Sequence, residues 1–267
     1  MNMYLHEMKS QRKSVFIWVL VLLGLAALFL SIYPSMAADA ADFKKILENY
    51  PPAVRAMLGI NLNYITSLLG FYSMIFSFIA LCGAIQAMIL GASILSRESR
   101  ERTADFLLVK PVSRVRVVSA KLLAAFTSIL ITDLVFVTFS TLLANSVRTS
   151  DFSVRIFFMI NLTLFFIQLI FLTLGMVISV FFKKLKSVLP LSLGVVFGLY
   201  MVGVLFASGE DEKVVRFLSP FKYFKITYII DNSGYEAPYL ATGAVIAAVA
   251  VVISYLVYMK KDIHAVS

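Results

Sequence analysis

Six long stretches of this chain carry almost no charge, and that feature limits what it can fold into. Counting Asp, Glu, Lys and Arg as interruptions, uncharged runs follow Lys13, Arg55, Lys121, Arg155, Lys186 and Glu236, and only Asp133 breaks one of them internally. A helix crossing ~30 Å of hydrocarbon needs about 20 apolar residues. The runs therefore predict six membrane spans, at about 15–33, 65–95, 122–144, 156–182, 188–207 and 238–259. Composition agrees. The 267 residues are 60% hydrophobic and 15% charged, with a mean hydropathy of +0.90. Soluble domains sit near ~45–50% apolar and ~25% charged. A soluble globular fold is thereby excluded, as is a disordered chain, and a single Cys excludes a disulfide scaffold. The expectation is an all-α membrane protein, one transmembrane domain over 1–267.

Charge sets the expected orientation. Net charge is +9, which points to one membrane face rather than to nucleic acid. With the N-terminus inside, the inner segments hold Lys9, Arg12 and Lys13, seven basic residues in 96–121, three in 183–187, and Lys260 and Lys261. That makes 15 basic residues against 5 acids, while the outer segments 34–64, 145–155 and 208–237 hold 9 of each. Cytoplasmic loops collect Lys and Arg, so both termini are expected in the cytoplasm. Basic residues, an apolar run and Ser35-Met36-Ala37 also resemble a cleavable leader. The run 15–33 exceeds the ~7–15 residues of a leader's apolar core, so the first span is expected to be retained.

The connecting segments differ in character. In 1–14, Tyr4, Leu5 and Met8 at helical spacing fit a short helix lying on the inner membrane surface, or else a plain basic tail. Segment 34–64 reads as two short amphipathic helices broken at Pro51-Pro52. Glu210-Asp211-Glu212 suits a solvated tip. Phe217 to Phe224, with Lys222 and the adjacent Lys225, suits the headgroup zone or a re-entrant segment covered by protein.

Segment 96–121 is the most informative. Glu98 and Arg102 are spaced i,i+4 with the acid first, which favours a helix. Lys110-Pro111 breaks it, since the residue before proline disfavours helical dihedrals. Ser113 is placed to cap a new helix that runs through Lys121 into the third span. Phe106-Leu107-Leu108-Val109 needs a surface to bury against, either the membrane interface or another protein.

No chemistry of a covalent kind is legible. There are two His, at positions 6 and 264, and no His-Glu-x-x-His pair or Gly-x-x-x-x-Gly-Lys-Ser/Thr phosphate loop. No catalytic residue and no metal site are expected. Asp133, the one charge inside a span, could serve a proton or ion path, or a structural polar contact. Gln86, Asn161 and Gln168 read as helix-to-helix glue. Gly194-x-x-x-Gly198 and Gly203 would let backbones approach closely, within the chain or across a dimer.

Segment 96–121 resembles the inner loop of ABC-2-type permeases, the membrane subunits of one class of ABC exporters. Glu98, Thr103, Leu107, Leu108, Pro111, Ser113, Arg114 and Lys121 stand where that family has an acid, Gly-Thr, a Leu pair, a Pro-x-Ser-Arg turn and a Lys opening the next span. Arg102 replaces the Gly, a departure. Tyr33-Pro34 and Leu218 to Phe224 are similar to the family too. The resemblance implies a half-transporter: two six-span permeases, alike or different, each docking a separate ATPase subunit that carries ATP and Mg. The inner loop would be a cytoplasmic coupling helix between spans two and three. Arg97, Arg100 and Arg102 would guide docking, and Phe106, Leu107 and Leu108 would anchor it. It also implies a bacterial cell membrane and a drug, peptide or lipid-like cargo. A gradient-driven carrier or channel using Asp133, and a structural or signalling membrane protein, are the competing readings.

Overall fold

The computed structural model describes residues 3–58, 60–96, 113–182, 187–205 and 216–260. Every regular element among them is helical. They are α1 (Met3–Ala38), α2 (Ala40–Glu48), α3 (Pro52–Met57), α4 (Leu68–Ile94), α5 (Arg114–Val147), α6 (Val154–Phe181), α7 (Val188–Leu205), α8 (Ile226–Asn232) and α9 (Ala237–Lys260). A 3₁₀ turn, Pro220–Lys222, precedes α8. Five helices, α1, α4, α5, α6 and α9, are long and apolar enough to cross a membrane. The fifth run forms the 18-residue α7.

Local signals explain several boundaries. The Ser67, Ser113 and Ser153 side chains accept from the third backbone N–H downstream, those of Gly70, Arg116 and Ile156. A serine there satisfies one of the four N–H groups a helix start leaves unpaired. Ser113 thus caps α5, which continues through Lys121 as the sequence predicts. The two short helices expected in 34–64 are α2 and α3.

One expectation is corrected. Residues 3–14 are not a separate helix on the membrane surface; they continue directly into the first span as α1. At ~1.5 Å per residue its 36 residues reach about 54 Å, well beyond the ~30 Å hydrocarbon core. The 34-residue α5 is nearly as long and lies alongside it. The buried face of the extension is polar: Glu7 and Gln11 are buried, while Leu5 is 61% exposed. Burial follows the partners those groups find on α5, not their hydropathy.

The centre of the bundle is the α4–α6 pair, which makes the most extensive interhelical contact. Glycines allow it. A Cβ on Gly91 would lie 2.0 Å from the Leu172 carbonyl oxygen, and one on Gly175 would lie 2.7 Å from the Met88 oxygen and the Ala92 nitrogen. Small residues let membrane helices approach closely and gain dispersion contacts, the main attraction available when lipid is as apolar as leucine. Around this contact pack Phe71, Ile75, Ile79, Met88, Leu164, Phe171 and Met176, all buried. α1 covers α5 and α4, α9 covers α6, and α7 leans on α4. Outward apolar side chains such as Phe16, Leu134 and Val249 are exposed, as lipid-facing positions should be.

Hydrogen bonds fix which helix ends share a level. Contacts from Glu7, Ile94, Lys121, Arg114 and Met259 gather the start of α1, the end of α4, the start of α5 and the end of α9 at one end, here termed proximal. Tyr33 and Thr149 meet at the distal end, as do Tyr64 and Asp231. The aromatic run 217–224 folds onto the distal part of the bundle. Tyr223 and Phe224 are buried, Phe221 packs on Phe171 and Tyr200, and Ser219 donates to the Leu199 carbonyl at 2.8 Å. Arg216 pairs with Glu236 and lies 3.7 Å over the Tyr239 ring. From Ser219 to Phe224 the run is largely packed against protein, while Phe217 and Leu218 stay exposed.

Candidate functional site: a clamp at the loop base and a polar centre

Two buried polar assemblies stand out in this apolar molecule. The first sits at the proximal end, where chain 97–112 leaves α4 and re-enters at α5. Lys121 is 1% exposed. Its Nζ lies 3.1 Å from Glu7 Oε1 and donates to the Ile94 carbonyl at 2.9 Å. Ile94 is the last residue of α4, and its carbonyl is one of four that a helix end leaves unpaired. A cation at that position satisfies the carbonyl and complements the negative end of the helix dipole. Ser96 Oγ donates to the Ala92 carbonyl at 2.6 Å and satisfies another. Arg114 does the same for α9, donating to the Met259 carbonyl at 3.0 Å. Ser119 and Tyr255 hydroxyls, 2.9 Å apart, tie α5 to α9 again. On α1, Tyr4 donates to Thr127 Oγ1 at 3.2 Å, and Ser128 donates to Gln11 Oε1 at 2.6 Å.

Of the sequence-derived loop residues, Ser113 and Arg114 belong to this clamp. Arg97, Glu98, Arg100, Arg102, Thr103, Phe106, Leu107, Leu108 and Pro111 lie outside the described residues. So do the acids Glu210, Asp211 and Glu212. Sequence reasoning missed Glu7 and Gln11 as buried partners. The available signal was the i,i+4 spacing of Glu7 and Gln11, which sets both on one face of a helix.

The second assembly lies between α4, α5 and α6. Asp133 is 5% exposed, and its neighbour is an amide, not a cation. Gln168, Gln86 and Thr132 continue the row. Two directions of hydrogen bonding satisfy it. With the carboxyl ionised, the Gln168 nitrogen turns to it and donates to both oxygens, at 2.8 and 3.0 Å; its oxygen then faces Gln86 Oε1 at 3.3 Å, so the Gln86 amide turns as well to present its nitrogen. With the carboxyl protonated, the Gln168 oxygen accepts from it instead. The Gln168 nitrogen then donates to Gln86 Oε1 at 3.3 Å, and Gln86 Nε2 donates to Thr132 Oγ1 at 3.1 Å. Thr132 in turn donates to the Ser128 carbonyl at 3.0 Å. Nearer the distal end, Tyr72 donates to Asn161 Oδ1 at 2.7 Å, and Asn161 donates to the Phe157 carbonyl at 2.8 Å. Gln86, Asn161 and Gln168 hydrogen-bond between helices, and Asp133 lies beside Gln168.

The geometry makes a structural role for Asp133 testable. Asp133→Asn keeps a polar partner for Gln168, so we expect thermal stability in detergent close to wild type. Asp133→Leu orphans the amide between three helices. We expect it to lose about 1–2 kcal/mol, the range of hydrogen bonds within membrane helix bundles. Equal melting of the two variants would show that the row contributes nothing.

The glycines of α7 divide between two faces. A Cβ on Gly203 would lie 2.6 Å from Ser219 Oγ, so Gly203 serves packing within the chain. Gly194 and Gly198 have nothing within 4 Å of an added Cβ. Their face of α7 is uncovered.

Described residues whose regular elements are all helical, with five helices long and apolar enough to cross a membrane and tied by buried polar side chains, define a multi-pass membrane protein. The family comparison narrows this. The profile of the ABC-2 family transporter proteins matches residues 1–263, nearly the whole chain, and the chain belongs to that family. No curated protein matches it.

Proposed function

We propose that this protein is the permease subunit of an ATP-driven ABC exporter, and that 1–267 forms its single transmembrane domain. Six spans, α7 included, carry both termini in the cytoplasm, so the proximal end with its clamp is the cytoplasmic end. The charge asymmetry of the loops supports this orientation. Segment 97–114 is the coupling element. Arg97, Glu98, Arg100, Arg102 and Thr103 meet the polar rim of an ATPase groove, and Phe106, Leu107 and Leu108 fill it. Pro111, Ser113 and Arg114 turn the chain back into the membrane. ATP and Mg bind the partner, whose closure moves the coupling elements and reorients the spans. The cargo class is drug, peptide or lipid-like, and the compartment is a bacterial cell membrane. The family match over 1–263 is the observation that carries this reading.

A second permease completes the path between two half-transporters, and the uncovered face of α7 at Gly194 and Gly198 is where we place that contact. Gly198→Leu meets open space in the single chain. It is therefore expected to leave the fold intact while shifting the protein toward the single-permease state on native mass spectrometry. An unchanged oligomer would remove α7 from the contact.

The direct test is purification of the tagged chain from its native membrane in mild detergent, with mass spectrometry of what accompanies it. A stoichiometric soluble protein bearing a Gly-x-x-x-x-Gly-Lys-Ser/Thr loop is the expected companion. Its absence, repeated after crosslinking, would overturn the proposal.

A further inference from the structure

We infer that Glu7 and Lys121 are positioning residues that pass movement of segment 97–112 to α1, so that they serve transport rather than ATPase docking. The inference rests on the docking reading above. Three observations carry it. Lys121 bridges two helices from the base of a third: one nitrogen holds Glu7 of α1 at 3.1 Å and the Ile94 carbonyl of α4 at 2.9 Å. Ile94 and Ser113 flank the connecting chain, so the bridge spans its point of departure and its point of return. The bridge is also buried: Lys121 is sealed from solvent and Glu7 nearly so. Water therefore cannot easily replace either partner when the helices shift, as it would at an exposed pair.

The remainder of the interface makes α1 follow α5. Tyr4 reaches Thr127, and Gln11 accepts from Ser128, both nearly two turns further along α5. A pull on the start of α5 by a docked partner is thus shared with α1 through Lys121–Glu7 first. α1 then runs unbroken to Ala38 at the distal end. α1 stays helical through its one proline, Pro34, which lies in its last turns, so displacement along the axis crosses most of the helix before the one position where it could kink.

Chemistry separates this role from a plain ion pair. Besides the Glu7 carboxylate, Lys121 holds a backbone carbonyl, that of Ile94. Lys121→Arg keeps donors for both. The exchange Glu7→Lys with Lys121→Glu restores opposite charges but sets a carboxylate against the Ile94 carbonyl, which then has no donor. An ion pair acting only for stability would be rescued by the exchange; the bridge would not.

The experiment uses the whole complex with its co-purifying ATPase, reconstituted in lipid nanodiscs. Cys82→Ser removes the native thiol, and Ser35→Cys reports from the distal end of α1. The maleimide labelling rate of that cysteine is read with and without Mg-ATP, beside ATPase stoichiometry. We expect Glu7→Gln, Lys121→Met and the exchange to retain the ATPase and to lose about fivefold or more of the ATP-dependent change in labelling. Lys121→Arg is expected to keep it. A labelling response equal to wild type in the exchange variant, or in both single variants, would overturn the inference. So would loss of the ATPase from well-folded Glu7→Gln, which would move the pair into docking. A wild-type preparation with no ATPase would overturn the docking reading itself, a result separate from all of these.

Discussion

Gly91→Val is expected to abolish the folded protein. The glycine sits where α4 crosses α6, and its added Cβ would lie 2.0 Å from the Leu172 oxygen and 2.9 Å from the Leu172 carbonyl carbon. Both are backbone atoms, so no rotamer change relieves the contact; the helices must separate. Overpacking of a core ordinarily costs about 1–3 kcal/mol, and a clash between two backbones lies at or beyond the upper end. Separation would also break the reciprocal approach at Gly175 and strip contacts from Met88, Leu172 and Met176. Even Gly91→Ala is expected to reduce the yield of monodisperse protein on fluorescence-detected size exclusion. Gly24→Ala, with nothing within 4 Å on α1, is the control and should behave as wild type. A normal profile for Gly91→Ala would refute the close crossing of α4 and α6.

The second large effect concerns docking. Under the proposed function, Leu107→Asp or Phe106→Asp places a carboxylate into the apolar groove of the ATPase, where it would be buried without a partner. A central anchor lost at an interface costs about 2–4 kcal/mol, and an unpaired charge adds to that. We expect a drop of about a hundredfold or more in affinity, enough to clear the ATPase from a mild-detergent preparation. The permease itself should remain folded, because these residues lie between spans rather than within them. Arg97→Ala is expected to cost much less and to act mainly on the association rate, since a rim charge steers encounter. Co-purification at wild-type level in both aspartate variants would remove 106–107 from the contact.

The distal end makes a contrasting use of polar groups. Tyr64 donates to Asp231 near the surface, and the carboxylate accepting that hydrogen bond pushes the phenol above its ordinary value. Tyr235 donates to the Met159 carbonyl at 2.6 Å, and burial pushes its phenol up to about 12. Both phenols therefore remain neutral donors at physiological pH. The proximal clamp depends instead on a full charge pair, Glu7–Lys121.

Much of the architecture was legible from the sequence because membrane insertion imposes a one-dimensional rule. About 20 residues without a strong charge can make a span, whatever their partners; five of the runs fall on helices long and apolar enough to cross a membrane, α1, α4, α5, α6 and α9, and the sixth falls on the shorter α7. Turn chemistry is similarly local: Ser113 follows a proline and caps α5, as its position predicts. Helix ends were less legible where they run into polar chain. The first twelve residues of α1 look amphipathic in the conventional sense, with Tyr4, Leu5 and Met8 as the apolar set, yet Leu5 is exposed and Glu7 is buried. Hydropathy could not reveal this, because the decisive partner, Lys121, is 114 positions away in the chain.

What the sequence determined by itself was therefore the class: an apolar, helical, multi-pass chain with a basic connecting segment and no phosphate-binding loop of its own. Only the tertiary structure decided which polar side chains meet. It placed Asp133 against Gln168, Gln86 against Thr132, and Lys121 between Glu7 and the Ile94 carbonyl. It also divided the glycines, packing Gly91 and Gly175 at the α4–α6 crossing while leaving Gly194 and Gly198 open. The physical reason is one of range. Transfer of a span from water to lipid depends on the residues of that span alone, whereas a buried charge or a missing Cβ acquires its meaning from whichever helix comes to lie beside it.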